Sequence, residues 1–78
     1  MTEDDALLAG ARELTRHGRG RRERERYGVS LEELAAAIGV SVVELMAWEL
    51  GEREPAGSEA ADYLRVVRAL GRHQDGPV

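Results

Sequence analysis

Two serine-capped helix starts with a glycine between them constrain the fold of this chain more than any other feature. Ser30 is followed three residues later by Glu33, and Ser41 is followed at the same spacing by Glu44. In this S-x-x-E pattern the serine hydroxyl and the glutamate carboxylate each accept a hydrogen bond from a backbone N–H of the first turn. Gly39 has the backbone freedom that a helix end and a tight turn require. The pattern predicts two short helices joined by a sharp turn.

Apolar residues at helical spacing predict further helices on both sides of this pair. One covers residues 4–17 and another covers about residues 58–70, with a glycine directly after it. We find no alternating pattern typical of a strand, so we expect an all-α fold: a bundle of four to five helices in one domain, residues 1–78. Residues 71–78 are polar, and we expect them to form a flexible tail.

An arginine-rich stretch, "RGRRERERYG", lies between the first helix and the capped pair. Residues 16–26 carry six arginines and two glutamates, whereas residues 30–62 carry eight acids and only Arg53, within a net charge of −4. One interpretation is a solvated polar helix or linker, which is what a charge run usually is. The other is an arm that binds phosphates, although the glutamates offset part of its charge.

The composition excludes several kinds of site and favours association. The chain has no cysteine, and its two histidines, His17 and His73, are isolated, so we expect no metal and no cofactor. No apolar run approaches the length of a membrane span, and the acidic start lacks the basic residues of a secretory signal, so we expect a cytoplasmic protein. A chain of 78 residues has a modest core, so association with a second copy would add stability. The apolar arc of the last helix is wider than one buried face needs, which also suggests a homodimer.

The capped pair and its turn are the sequence form of a helix-turn-helix. The run "YGVSLEELAAAIGVSVVELMAWELGEREPAG" resembles the lambda-repressor/Cro type of DNA-binding domain, called the XRE family, and its end is similar to the antitoxin-like branch. The residues that carry the resemblance are Gly28-Val29-Ser30, Glu33-Leu34-Ala35, Ile38-Gly39-Val40-Ser41, Leu45, Trp48-Glu49, Gly51, Arg53 and Pro55.

The resemblance implies a DNA-binding transcriptional regulator that acts as a homodimer on a short, two-fold symmetric operator. It implies a recognition helix at about residues 41–50, which would lie in the major groove of double-stranded DNA. It further implies that Glu49 pairs with an arginine of the preceding polar segment, which counting back from Gly28 places at Arg24. Arg53 would contact a phosphate just beyond the recognition helix. Ser30 and Ser41 would approach phosphates from helix N-termini.

The chain departs from the family pattern in the arginine-rich segment. The family has an apolar residue about eight positions before Gly28, and here that position is Gly20. Either the first family helix is unusually polar, or residues 4–17 supply the packing and residues 19–27 are an inserted connector or arm. We favour the connector, because two glycines close together weaken a helix.

The second departure lies on the recognition helix, where the positions that usually carry hydrogen-bonding groups are apolar. Direct readout depends mainly on bidentate hydrogen bonds, and this face offers only one polar group at its border. Three interpretations remain open. The domain binds DNA through arginines, phosphates and DNA shape; the apolar face binds a protein; or part of the face belongs to the core.

We therefore predict a DNA-binding regulator and no enzyme. The alternative is a protein-interaction module, antitoxin-like or accessory, that binds a protein partner through the apolar recognition face. Arg24 cannot easily serve both Glu49 and DNA, so we expect one of those two roles to fail. The predicted DNA-contacting residues are Ser30, Ser41, Val42, Val43, Glu44, Met46, Ala47, Arg53, Arg22, Arg24 and Arg26.

Overall fold

The computed structural model describes residues 3–74, with side chains from residue 5 to residue 72, and this part of the chain is helical without strands. The predicted all-α fold is confirmed. The helices are α1 (Glu3–Thr15), α2 (Arg19–Arg26), α3 (Leu31–Ile38), α4 (Val42–Glu49) and α5 (Gly57–Gln74), with a 3₁₀ turn, Arg16–Gly18, between α1 and α2.

Helices α3 and α4 form the predicted helix-turn-helix. Ser30 Oγ accepts from the N–H of Glu33 at 3.0 Å, and the Glu33 carboxylate accepts from the N–H of Ser30 at 2.9 Å, so the first capping box is complete. Gly39 ends α3 with φ 89°, a backbone conformation that residues with a Cβ rarely adopt. Its N–H donates to Ala35 O at 2.9 Å. Two residues later Ser41 caps α4.

The core lies where α5 crosses the helix-turn-helix and α1. Trp48 of α4 and Tyr63 of α5 are both fully buried, with ring centroids 5.2 Å apart in a tilted arrangement. Burial raises the pKa of the Tyr63 hydroxyl, since the phenolate would be poorly solvated there. The buried hydrophobic residues are Ala11, Leu14, Leu34, Ala35, Ile38, Leu45, Trp48, Ala60, Tyr63, Leu64 and Val67.

Residues 19–27 are not a connector, and the favoured interpretation of this segment was wrong. Arg19–Arg26 is a regular helix that packs against α1, α4 and α5. Gly20 is buried at this contact, beside the Tyr63 hydroxyl and the carbonyl of Leu14. The hydroxyl end of Tyr63 thus occupies the space that a side chain at position 20 would need, so α2 packs here without an apolar side chain at that position.

The last helix extends further than its sequence predicts. A stop at Gly71 was expected, but α5 continues to Gln74. A single glycine within a helix costs only about 1 kcal/mol relative to alanine, which packing along the rest of the helix offsets. Residues 71–74 of the predicted tail therefore belong to α5, and residues 75–78 lie outside the described residues.

Candidate nucleic-acid interface

The outer face of α4 is apolar and points away from the core. Val43 is 76% exposed, Met46 44% and Leu50 57%. The interpretation that part of this face belongs to the core therefore does not apply to these positions. It applies to Val42, which is half-buried and packs against the core, while Ala47 is half-buried towards the end of the helix.

The predicted phosphate-facing serines both stand at helix N-termini. Ser41 is exposed and its hydroxyl accepts from the N–H of Glu44 at 3.0 Å. Ser30 is half-buried and caps α3 in the same way. Helix N-termini favour anions through their free N–H groups and backbone dipole. The structure therefore places both serines where the start of a helix favours an anion.

The second predicted capping box is only half formed. Glu44 does not return its carboxylate to the N–H of Ser41, as Glu33 does to Ser30. Instead, Glu44 Oε1 accepts from Trp48 Nε1 at 3.1 Å and Glu44 Oε2 accepts from Arg53 Nη1 at 2.7 Å. Glu44 is the only polar residue within α4 that was predicted to lie at the groove. Both of its carboxylate oxygens are therefore engaged within the protein.

Arg24 has an internal partner, as the family resemblance implied. Its Nε and Nη2 donate to the two carboxylate oxygens of Glu49 at 2.8 and 3.0 Å, and its Nη1 donates to Val29 O at 3.0 Å. The side chains of Arg24 and Glu49 are only 12% and 5% exposed. The hydrogen bonds with Glu49 raise the pKa of Arg24, with burial acting in the opposite direction. The predicted pairing of Arg24 with Glu49 is thus present. Contact of Arg24 with DNA stays a prediction that this geometry does not favour, because each guanidinium nitrogen already donates within the protein and the side chain is largely buried.

The other predicted arginines lie at the surface. Arg22 donates to the carbonyl of His17 and thus points towards the start of α2. Arg26 lies over the ring of Tyr27, 5.5 Å from its centroid. Arg53 is 67% exposed and is held by Glu44. These three guanidinium groups remain accessible, but they belong to two separate parts of the molecule.

Comparison with known protein families identifies this geometry. A family model described as Helix-turn-helix, of the lambda-repressor/XRE type, matches residues 21–68, more than half of the chain. The chain belongs to this helix-turn-helix family. At the level of the family it is a DNA-binding domain of the XRE type. Searches of curated proteins and of solved structures gave no match.

The match to the helix-turn-helix family covers α3 and α4 in full and most of α2 and α5. It begins at Arg21, so α1 and Gly20 lie outside it. This helix-turn-helix protein therefore adds one helix to the matched region, and α1 packs chiefly against α5.

One residue of the exposed face, Leu50, is not among the predicted contact residues. Leu50 directly follows α4 and continues the exposed face formed by Val43 and Met46. The signal was available, since Leu50 falls in the same arc of the helical wheel as these residues. Among residues 3–74, no three His, Cys, Asp or Glu side chains come together as a metal site, and none of the helices is long and apolar enough to cross a membrane.

Proposed function

We propose that this protein is a DNA-binding transcriptional regulator that places α4 in the major groove. The observation that carries the proposal is the outward presentation of α4 directly after the serine-capped turn, within a chain of the helix-turn-helix family. The exposed side chains of Val43 and Met46 can pack on thymine methyl groups but cannot form bidentate hydrogen bonds. Most of the binding free energy must therefore come from phosphate contacts and DNA shape.

The phosphate contacts in this proposal are Arg53, Ser41 and Ser30 around the helix-turn-helix, with Arg22 and Arg26 on α2. Ser30 and Ser41 cap the starts of α3 and α4, and Arg53 follows α4 and pairs with Glu44 of that helix. Arg24 is no longer included, since its guanidinium is buried against Glu49. These contacts come partly from the positively charged α2 and partly from a helix-turn-helix that is acidic overall. The affinity for DNA should therefore be modest, and it should depend strongly on salt.

We further propose that the regulator acts in the cytoplasm as a homodimer and represses the operon that encodes it. Support for a dimer comes from α5, where Val66 and Leu70 remain only half-buried in the single chain. Two-fold symmetric dimers bind two half-sites of a palindromic operator, which doubles the phosphate contacts. Sedimentation of the free protein would test the dimer independently of DNA.

A gel-shift assay against the DNA upstream of its own gene tests this function. Arg53→Ala should weaken binding to every sequence and reduce the slope of log affinity against log salt by about one. Arg65→Ala is the matched control, because Arg65 is also exposed and ion-paired but belongs to α5 and is not one of the predicted DNA-contacting residues. Absence of salt-dependent binding to any duplex by the folded wild-type protein would refute the proposed function.

The apolar face of α4 favours a second candidate function, an antitoxin-like or accessory module that binds a protein. Val43, Met46 and Leu50 form an exposed apolar patch, and the adjoining Glu44 is already satisfied internally. Such a complex should barely respond to salt and should be abolished by Met46→Glu. Loss of partner binding in Arg53→Ala with no effect of Met46→Glu would contradict this alternative.

A further inference from the structure

The carboxylate of Glu44 holds the arginine that the proposed function places on phosphate. Arg53 is 67% exposed, yet its Nη1 lies 2.7 Å from Glu44 Oε2. The other oxygen of Glu44 accepts from Trp48 Nε1 at 3.1 Å, and Trp48 is almost completely buried. Because the indole anchors one oxygen to the core, the second oxygen is presented to Arg53 with little freedom to move away.

The position of Glu44 is not explained by helix capping. Glu33 stands at the same place after its serine and returns its carboxylate to the serine N–H. Glu44 follows Ser41 identically in sequence but gives up that bond in favour of Trp48 and Arg53. The contact therefore depends on the packing of α4 and the segment after it.

We propose that Glu44 competes with DNA phosphate for Arg53, so that this ion pair must break when the protein binds DNA. The inference rests on the proposed function and describes how that function is limited. A phosphate that takes over Arg53 leaves the Glu44 carboxylate unpaired beside a polyanion. Binding to any sequence is weakened, most visibly for non-specific DNA, whose affinity comes almost entirely from phosphate contacts. Glu44 thereby keeps the protein off DNA that offers no other favourable contact.

Glu44→Gln tests this exchange with little structural disturbance. Glutamine keeps a carbonyl oxygen for Trp48 Nε1 and has nearly the same volume, but it no longer carries the charge that holds Arg53. Glu52→Gln is the matched control, because it removes the same charge from the turn after α4, next to Arg53. Glu52 is exposed, and its side chain has no hydrogen bond or ion pair among the residues the structure describes.

The measurement is the Kd of the full chain for a short duplex of random sequence, followed by fluorescence anisotropy at several salt concentrations. Both variants should bind more tightly, because each loses a negative charge. Glu44→Gln should exceed Glu52→Gln by about fivefold, the upper value for an exposed ion pair. In an Arg53→Gln background, the difference between the two variants should disappear. Circular dichroism and Trp48 fluorescence should confirm that all variants are folded.

The outcomes separate this inference from the function on which it rests. Equal tightening by the two variants, or a difference that persists without Arg53, would overturn the competition while leaving DNA binding intact. If neither the wild type nor Glu44→Gln binds duplex at low salt, both proposals fail. Binding by Glu44→Gln with none by the wild type would refute the proposed function of the wild type, while showing that the carboxylate blocks an otherwise competent surface.

Discussion

Replacing Gly20 by alanine should destabilise the protein, although alanine is the better helix former. Gly20 lies inside α2, and a Cβ there would overlap the hydroxyl of Tyr63. The same Cβ would lie 3.0 Å from the carbonyl oxygen of Leu14 and 3.2 Å from Tyr63 Cζ. The neighbours on this side are backbone and a fully buried ring, so neither can move away easily.

The magnitude follows from two opposing terms. Replacing glycine by alanine within a helix stabilises it by about 1 kcal/mol. Inserting a methyl group into a filled contact costs about 1–3 kcal/mol, and the upper end applies here because the overlap is severe. Gly20→Ala should therefore lower the free energy of unfolding by about 2 kcal/mol, which is about 8–16 °C in Tm for a domain of this size.

Gly71 provides the matched control, because it also lies inside a helix but has room for a methyl group. A Cβ at Gly71 would lie 3.5 Å from the hydroxyl of Tyr27, an ordinary contact. Gly71→Ala should therefore raise Tm by a few degrees, reflecting a gain of about 0.5–1 kcal/mol. The same substitution should thus have opposite signs in α2 and α5.

Thermal and urea unfolding followed by circular dichroism would measure both effects. The double variant Gly20→Ala/Tyr63→Phe should recover part of the lost stability, since it removes the overlapping oxygen but not the close contacts with Leu14 and the ring. A Gly20→Ala protein as stable as the wild type would refute the argument. Failure of Tyr63→Phe to improve Gly20→Ala beyond its effect on the wild type would show that the Tyr63 hydroxyl is not the obstacle.

Three further predictions concern ionisable side chains. Glu49→Gln should lower the free energy of unfolding, measured in urea, by about 2–4 kcal/mol, because it leaves the buried Arg24 without its counter-charge. Glu25→Gln removes one partner of an exposed pair and should cost under about 1 kcal/mol. Equal costs for the two variants would contradict the structural role of the buried pair. Because burial raises the pKa of Tyr63, the folded state retains this proton when the unfolded state loses it, so stability should fall as pH rises above about 10. That loss should be smaller in Tyr63→Phe. If the urea midpoint of Tyr63→Phe falls with rising pH as much as that of the wild type, Tyr63 is not the cause. The hydrogen bonds with Ser30 lower the pKa of Glu33 below 4.5, so stability should fall as pH drops from about 4.5 through that lowered value. The fall should be smaller in Glu33→Gln. An identical decrease in the stability of both proteins at acid pH would exclude this contribution.

Local features of the sequence predicted the helix-turn-helix correctly. The Ser30–Glu33 box, the turn at Gly39 and the cap at Ser41 each depend on groups within four residues of one another, so their geometry follows from the chain itself. The Arg24–Glu49 pair joins distant parts of the chain and was found only through resemblance to a family. The set of residues that contact DNA remains a prediction.

Tertiary contacts decided what the local pattern left open. The two glycines of the arginine-rich segment favoured a connector, but Arg19–Arg26 is a regular helix whose buried Gly20 lies against the Tyr63 hydroxyl. Glu44 has the sequence environment of a capping residue, but the indole of Trp48 and the guanidinium of Arg53 take its carboxylate. Tyr63 belongs to a distant helix and Arg53 lies beyond the end of α4, whereas Trp48 is one turn away from Glu44 on the same helix. Sequence spacing specifies which hydrogen bonds a helix end can form, whereas the packing of neighbouring helices determines which of the competing partners is close enough to form them.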